Sequence, residues 1–363
     1  MPKARIVSFA LLVSVTVILA AELSLAKTTV AVGTCQPGLV SYSTISEAVA
    51  AVKPHSTVLV CPGTYPEQVT ITIPLTLTGL SEGANSYPVI TVPGGGLVGG
   101  SGAQLSVVAN PYNGSVGPVN ISNLVIDGAG AVVDCTMGSI VGILYGSASG
   151  SLDNVEVRNQ NPGGCGWGIW AKAHLYGVGQ TLTIQNSYVH DFDNTGIYAW
   201  YPLGAVSGSF YVDLSSSVIA SNSPTVQAGV QYLFAAGRMT NTTITLAGGT
   251  GLELSNLPGY LMNIKENAIS GASVGIQGAA IITHNNLSGN STGILVGDGG
   301  AAITSNTIMQ SSTVAIDLDC GYATAEHNNI SDAPKGIANI GLGDVVKGNI
   351  FSDVTTPTTT CSH

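Results

Sequence analysis

Charged residues are scarce in this 363-residue sequence, and the basic ones are only half as numerous as the acidic ones. Only 8% of the residues are Asp, Glu, Lys or Arg, whereas a helix-rich protein carries many of them on its solvated faces. Lys and Arg together number 10 against 20 acidic residues, so the formal net charge is −10. A nucleic-acid-binding protein needs a basic stripe to neutralise phosphates. We therefore exclude nucleic acid as a partner, and we expect a polyanionic sugar to be repelled unless a divalent cation bridges it.

The abundant residues are those of strands and tight turns. Glycine accounts for 47 positions, and Val, Ile, Thr, Ser and Asn fill much of the rest. The one long apolar run covers 6–21 and follows Lys3 and Arg5. A small-x-small pattern, Ser24-Leu25-Ala26, comes after it. This pattern predicts a secretory signal peptide over 1–26, with an uncleaved membrane anchor as the alternative. We expect a secreted, periplasmic or extracellular protein with no membrane span after signal cleavage.

Short segments that contain asparagine recur along the C-terminal half. Their asparagines are Asn267, Asn285, Asn306, Asn328 and Asn349, at separations of 18, 21, 22 and 21 residues. A small residue and Ile follow each of the first four, at Gly275-Ile276, Gly293-Ile294, Ala315-Ile316 and Gly336-Ile337. Upstream, the same asparagine column is assigned to Asn123, Asn154, Asn186, Ser216 and Asn241. The longer upstream periods predict loops inserted in the coils between about 123 and 241.

A period near 21 residues with alternating apolar positions predicts a three-sided coil of short strands. No coil buries its apolar face alone, so neighbouring coils must stack in parallel and in register, with the asparagines in an amide ladder. We predict an all-β fold, a single-stranded right-handed parallel β-helix (solenoid) over 27–355, followed by a tail over 356–363. Thr44 and Glu47 form a capping box, which predicts a short N-terminal capping helix at about 44–53.

The six cysteines predict three disulfides in an exported chain. No two have the two-residue spacing of a zinc site. Many pairings are open, and we predict the sequential one because the gap from Cys135 to Cys165 nearly matches one repeat, which would place the two on neighbouring coils. The predicted pairs are Cys35–Cys61, Cys135–Cys165 and Cys320–Cys361.

The segment STVLVCPGTYPEQVTITIPLTLTGL, with the TISEA that precedes it, resembles the opening of pectin-lyase-like β-helix proteins. The Asn and Gly-Ile repeats resemble the parallel β-helix repeat of that superfamily. The resemblance implies the fold but no single activity, because the superfamily includes lyases, hydrolases, esterases, epimerases and non-catalytic binding proteins. None of the positions that hold acids beside Gly-Ile in polygalacturonase-type hydrolases is acidic here, and no lyase or esterase set is recognisable.

Strand alternation places the residue after each Gly-Ile pair, and the residue two further on, on the outer surface. The predicted substrate-binding residues in these two columns are Trp170, Lys172, Tyr198, Trp200, Gln231, Glu253 and Gln277. Exposed rings flanked by amides and carboxylates suit the apolar faces and hydroxyl edges of sugars. The alternative is that the rings pack beneath the inserted loops as a satellite core.

Six residues are candidates for catalysis, each with a structural alternative. They are Arg158, His190, Asp191, Asp193, Asp317 and Asp319. The segment HDFDNTG offers a base and two acids, or it caps a turn. Asp317 and Asp319 alternate on one predicted strand, which would place them about 6.5–7 Å apart, near the separation in inverting glycosidases.

Three functions remain open. The first is a secreted β-helix protein that binds polysaccharide or cell-surface glycan through the aromatic outer face. The second is a carbohydrate-active enzyme on that face, a polysaccharide lyase or epimerase-like protein, and only a lyase would call for Ca²⁺. The third is a structural or adhesive solenoid. We expect no other cofactor, no metal site, and a monomer.

Overall fold

The computed structural model describes residues 28–83, 86–98, 101–108, 116–173, 179–201, 210–255, 260–297 and 300–361. The predicted signal peptide lies outside these residues. Within them the chain forms 34 strands and one short helix. No helix of this described part is long and apolar enough to cross a membrane.

The strands are short and follow one another closely along the chain. The first elements are β1 (Thr29–Val32), β2 (Val40–Tyr42), α1 (Ile45–Ala51), β3 (Ser56–Val60), β4 (Thr64–Pro66), β5 (Val69–Ile71), β6 (Leu75–Gly79), β7 (Val89–Thr91), β8 (Ser101–Val108), β9 (Val116–Asp127), β10 (Ser139–Gly146) and β11 (Ala148–Arg158). The next are β12 (Gly166–Lys172), β13 (Gln180–Gln185), β14 (Tyr188–His190), β15 (Thr195–Trp200), β16 (Phe210–Ser215), β17 (Val218–Ser221), β18 (Ala228–Leu233), β19 (Ala236–Thr240), β20 (Thr243–Leu246), β21 (Thr250–Ser255), β22 (Met262–Lys265) and β23 (Ala268–Ser270). The last are β24 (Val274–Gln277), β25 (Ala280–Thr283), β26 (Asn286–Ser288), β27 (Thr292–Leu295), β28 (Ala302–Thr304), β29 (Thr307–Met309), β30 (Val314–Asp317), β31 (Thr324–Glu326), β32 (Asn329–Ile340), β33 (Val345–Lys347) and β34 (Ile350–Thr360).

These strands stack into three parallel sheets that form the sides of one solenoid. The side sheet contains β1, β3, β6, the first half of β9 and of β11, then β13, β16, β19, β22, β25, β28, β31 and β33. The rear sheet contains β4, β7, the second half of β9 and of β11, then β14, β17, β20, β23, β26, β29 and the first parts of β32 and β34. The front sheet contains β5, β8, β10, β12, β15, β18, β21, β24, β27, β30 and the last parts of β32 and β34. The predicted parallel β-helix is confirmed.

The core is a set of apolar ladders in which like residues stack on like. In the front sheet one ladder is Ile169, Ile197, Val230, Leu252, Ile276, Ile294, Ile316 and Ile337, all fully buried. Burying one such side chain stabilises the fold by about 1.5–3 kcal/mol, and each coil needs its neighbours to do so.

The Gly-Ile signature has a steric cause. A Cβ atom on Gly168, Gly196 or Gly275 would lie 2.4–2.6 Å from the carbonyl oxygen of the stacked glycine in the next coil. Glycine at this position therefore lets the first residues of successive front strands approach closely. Ala315 replaces glycine in the coil before the last of the series, and the last has glycine again, at Gly336.

The C-terminal asparagine ladder is confirmed, and its upstream part requires a correction. Asn267, Asn285 and Asn306 are buried, and the side chain of each accepts hydrogen bonds from the Asn or Thr of the preceding coil. Farther upstream the matching positions are held by Ser187, Ser217 and Thr242. The asparagines and the serine predicted there, Asn123, Asn154, Asn186, Ser216 and Asn241, lie one residue earlier and have φ between 49° and 57°. They are turn residues, a role for which asparagine is suited because it tolerates the left-handed region.

A capping helix stabilises the first coils of the solenoid, and a disulfide links its last coil to an earlier one. Thr44 is the N-cap of helix α1, and its side chain accepts from the Glu47 N–H. The Glu67 carboxylate accepts from the N–H groups of Ile45 and Ser46. Helix α1 buries its apolar side against the first coils. All three predicted disulfides are present, and Cys320–Cys361 ties down the last coil. Strand β34 continues to Thr360, past the predicted boundary at 355.

Candidate functional site

The predicted outer column lies on the front sheet in the expected register. Strand pairing places Leu144, Trp170, Tyr198, Gln231, Glu253, Gln277, Leu295 and Asp317 one above another on successive strands. The second column begins with Lys172 beside Trp200. From Trp170 to Gln277 these side chains are half-buried, so each offers a surface to solvent. We call the residues Trp167, Trp170, Lys172, Tyr198, Trp200, Gln231, Glu253 and Gln277 the aromatic face.

Three rings form the centre of this face. Trp167 and Trp170 stack with their centroids 5.5 Å apart, and Tyr198 lies 4.9 Å from Trp167 and 5.8 Å from Trp170. The tryptophans pack on a small apolar cluster of Val141, Leu144 and Ala103 outside the main core. That cluster holds the rings in place while leaving part of each exposed. Trp167 was missing from the predicted set because it precedes Gly168, and its outward position is shown only by its half-buried packing on this outer cluster.

Two hydrogen-bond donors at the rings lack an acceptor among the described residues. Lys172 Nζ lies 4.8 Å from the centroid of Trp170, and within the described part of the chain it contacts no carboxylate. Burial lowers the pKa of Lys172 from its ordinary value because it penalises the ammonium form. The Nε1 of Trp170 is buried and has no acceptor among the described atoms. The Lys172 ammonium is within reach of solvent, so it would gain from a ligand that supplies an acceptor.

The polar end of the face is ordered by hydrogen bonding. Gln231 donates from Nε2 to Glu253 Oε2 at 2.9 Å. Burial raises the pKa of Tyr198, and the negative charge of Glu253 raises it further. Gln277 follows Glu253 in register. Rings therefore lead into amide and carboxylate groups along the solenoid axis, at about 4.8 Å per strand.

The longer connections of the middle coils leave the front strands near this face. Residues 173–179 follow β12, 201–209 follow β15, and 256–261 follow β21. The prediction that inserted loops wall a groove concerns residues that lie mostly outside the described ones, and it stays a prediction.

Three of the catalytic candidates meet on the rear sheet, away from the aromatic face. Arg158 donates to Asp127 at 2.9 Å and to Glu156 at 2.8 Å. His190 lies between Asp191, 2.7 Å from its Nδ1, and Glu156, 3.2 Å from its Nε2. These groups satisfy one another, so the arrangement joins β9, β11 and β14 and leaves neither ring nitrogen of His190 free. Asp127 and Glu156 were not predicted, because their relation to Arg158 and His190 depends on the stacking of strands about 30 residues apart in sequence.

Comparison with known proteins identifies the fold. No family model and no curated protein matches the chain. Among solved structures, the A-module of the mannuronan C-5 epimerase AlgE6 from Azotobacter vinelandii superposes with a TM-score of 0.59 at 18% identity, covering 87% of this chain and 92% of that one. The AlgE4 A-module from the same organism gives 0.56 at 18%, with 88% and 93% covered. The Dettilon tailspike protein gives 0.52 at 12%, with 87% and 63% covered.

The chain is a right-handed parallel β-helix protein. At these identities the likeness concerns the fold, as the resemblance to the pectin-lyase-like superfamily predicted. The chemistry of this β-helix has to be argued from its own side chains.

Asp193 supports a turn of the β-helix. It is 3% exposed, and its carboxylate accepts from the backbone N–H groups of Gly163, Gly164 and Gly166. These bonds shape the turn before β12, the strand that carries both stacked tryptophans. Asp193 thereby fixes the start of the strand that carries Trp167 and Trp170.

The prediction that Asp317 and Asp319 share one strand is wrong. Strand β30 ends at Asp317, and Asp319 has a φ of 50° in the following turn. The Asp319 N–H donates to Asp317 Oδ1 at 3.1 Å, and Asn339 Nδ2 donates to the same oxygen at 2.8 Å. The chain turns because Asp317 accepts from the residue two positions on, as aspartate commonly does at turns.

No three acidic, histidine or cysteine side chains of the described residues converge in a way that would hold a metal ion. The prediction that a lyase activity would require Ca²⁺ is addressed by the activity assays proposed below.

Proposed function

We propose that this is a secreted β-helix protein that binds polysaccharide through the aromatic face. The observation that carries the proposal is the half-exposed group of Trp167, Trp170 and Tyr198, with the Lys172 ammonium beside it. Aromatic rings bury the apolar faces of sugars, and the amides and carboxylate of the same column suit their hydroxyl groups. Secretion is supported by the N-terminal sequence and by three disulfides, which persist in oxidising compartments.

The polar groups favour a glycan that carries acceptors, including acidic ones. Lys172 is the cation of the aromatic face, and burial weakens its hydration while no carboxylate of the described residues contacts it. A uronate carboxylate placed over the rings would supply the missing anion for the Lys172 ammonium. This local cation offsets the repulsion expected from a net charge of −10.

The direct test is binding of neutral and acidic polysaccharides to the mature protein by affinity electrophoresis and calorimetry. Trp170→Ala should weaken binding by about 30-fold or more, as expected for a central aromatic anchor worth at least 2 kcal/mol. Tyr322→Ala is the matched control, since Tyr322 is 81% exposed and lies on a distant turn. Equal affinities of Trp170→Ala and wild type would refute the proposal.

Lys172→Met separates acidic from neutral ligands. This variant should lose affinity for uronate polymers and keep its affinity for neutral glycans. Because the pKa of Lys172 lies below the ordinary lysine value, uronate binding by wild type should decline as pH rises through that lowered pKa. Unchanged uronate affinity in Lys172→Met would contradict the role assigned to the ammonium.

A second candidate function is a polysaccharide lyase or epimerase-like activity on the same face. It is favoured by the lowered pKa of Lys172, which makes the neutral amine more accessible as a base, and by the overlap with two mannuronan C-5 epimerase A-modules. Assays with mannuronan and polygalacturonate, with Ca²⁺ or with chelator, should follow unsaturated uronates and C-5 configuration. If the protein binds these polysaccharides but converts none of them under any condition, it is a binding protein and not an enzyme acting on them. If it binds none of them, a structural or adhesive solenoid is favoured.

A further inference from the structure

We infer that the glycan bound on the aromatic face carries short acyl substituents, which enter a partly apolar cavity one row of the front sheet away from Trp167. This inference rests on the proposed function and adds a chemical class of ligand to it. The cavity has a volume of about 150 Å³, and its apolar lining includes Leu97, Val132, Val133, Met137 and Ile140. An engineered apolar cavity of about 150 Å³ accommodates benzene, so an acetyl or butyryl group has room in a cavity of this size.

The cavity adjoins the aromatic face through the strand register. Its floor includes Gly102 and Ile140, which pair with each other and lead to Gly166 on β12. The next row in the same register runs from Ala103 through Val141 to Trp167. A glycan stacked on Trp167 would thus have its neighbouring substituent within one or two strand spacings of the cavity, at about 4.8 Å per strand.

One wall of the cavity is held by a glutamine clamp. The side chain of Gln68 accepts from the backbone N–H of Val98 and donates to the carbonyl oxygens of Val98 and Ala103. This clamp fixes the segment that presents Leu97. The wall is therefore formed before a ligand arrives, which reduces the entropy lost on binding.

The opposite wall is held by a disulfide and a turn. Cys135 is bonded to Cys165, which precedes β12. Asp134 accepts from the N–H and the hydroxyl of Thr136, and these bonds lower the pKa of the Asp134 carboxyl. The Asp134 carboxylate in the lining is thus already engaged by its own turn, and its neighbours Val132, Val133 and Met137 make that wall apolar.

The mouth of the cavity exposes more apolar surface than a water-facing loop needs. Val132 is 95% exposed and Met137 82%, and both belong to the cavity lining. Exposed apolar side chains that lie together mark an interaction site. An ester-linked acyl chain suits these side chains because it is small, uncharged and apolar, and the polymer itself carries it.

The first arm of the test uses the cavity alone. The mature protein, labelled with [13C-methyl]methionine, is titrated with butyl acetate. The Met137 methyl signal should shift saturably, the Met309 signal on the rear sheet should stay still, and Val132→Asp should abolish the shift. The absence of a saturable Met137 shift in wild type would overturn the inference.

The second arm uses paired glycans, each acetylated batch compared with the same batch after mild alkaline deacetylation. Acetylation should tighten binding about tenfold in wild type. Val132→Asp and Met137→Gln should remove this gain and keep the affinity for the deacetylated glycan, and Leu342→Gln, at an exposed distant leucine, should behave as wild type. Glycan binding that is sensitive to Trp170→Ala but indifferent to acetylation would overturn this inference and leave the proposed function. Ester binding without any glycan binding would overturn the proposed function and the glycan part of this inference together.

Discussion

Asn285 lies within the asparagine ladder, with an asparagine above and below it, and its replacement by alanine should destabilise the fold. Its Oδ1 accepts from the backbone N–H and from Nδ2 of Asn267, both at 2.9 Å. Its Nδ2 donates to the carbonyl oxygen of Ile264 at 2.9 Å and to Asn306 Oδ1 at 2.9 Å. Asn285→Ala removes these partners in a position that is 2% exposed, where water does not replace them.

The magnitude follows from the groups that are left behind. The Asn267 N–H and the Ile264 carbonyl each lose the partner that the side chain supplied, at about 1–3 kcal/mol for each buried group. We therefore expect the free energy of unfolding to fall by about 2–6 kcal/mol. The matched control is Asn286→Ala, which removes an exposed asparagine one position away and should change the free energy by less than about 0.5 kcal/mol.

Urea unfolding with the disulfides intact measures both variants, and amide hydrogen exchange locates the effect. The Asn267 amide should exchange much faster in Asn285→Ala, because local opening follows the loss of its acceptor. If Asn285→Ala and Asn286→Ala had the same unfolding midpoint and the same exchange rates, the ladder would not stabilise the stack, and the reasoning would be refuted.

Two further predictions concern close packing and acid stability. Gly275→Ala places a Cβ atom 2.5 Å from the Gly293 carbonyl oxygen, so it should cost about 1–3 kcal/mol in urea unfolding, whereas Gly248→Ala, which meets no atom within 4 Å among the described residues, should be neutral. Burial by itself raises the pKa of Asp127, but hydrogen bonds from Asn159, the Ala129 N–H and Arg158 outweigh it and hold the pKa below the ordinary value. A lowered folded-state pKa adds stability above the unfolded pKa of about 3.9, and this stability is lost as pH falls through the folded pKa. Asp127→Asn should therefore lose less stability on acidification in that window, and an unchanged slope would contradict the assignment.

The fold was predictable because the repeat specifies it at each level. The Gly-Ile spacing fixed which residues stack, and the register of the front sheet followed residue by residue from Leu144 to Asp317. The Cys135–Cys165 disulfide followed from the same reasoning, because a gap of about one repeat brings these two cysteines onto adjacent coils. The capping helix was visible from Thr44 and Glu47, a purely local signal.

The errors arose where one residue of shift changes the role of a side chain. Asn186 and Asn285 look alike in sequence, but Asn186 occupies the left-handed turn position and Ser187 takes the ladder position. Asp319 was placed on a strand because alternation continues in the sequence, whereas the Asp317 side chain ends the strand by accepting from the chain. The sequence alone does not show whether such a residue takes the ladder, turn or strand position, because that position depends on hydrogen bonds to the neighbouring coil.

The site was predictable only in part, for a related reason. Columns on one sheet could be read from the period, which gave Trp170, Tyr198 and Glu253. Contacts between segments that lie far apart in sequence cannot be read from the period. The hydrogen bonds that Asp193 accepts from the N–H groups of Gly163, Gly164 and Gly166 are of this kind, and only the structure shows them. The cavity is of the same kind, since its walls come from the segment at Leu97 and from the disulfide-linked loop.

Glycan binding by Trp170→Ala, compared with Tyr322→Ala and wild type, tests the central claim most directly. We predict that a polysaccharide bound by wild type and by Tyr322→Ala loses about 30-fold or more of its affinity for Trp170→Ala, while urea unfolding of the variant stays close to that of wild type. Undiminished binding by a folded Trp170→Ala protein would contradict this prediction and would remove the aromatic face as the site of glycan recognition.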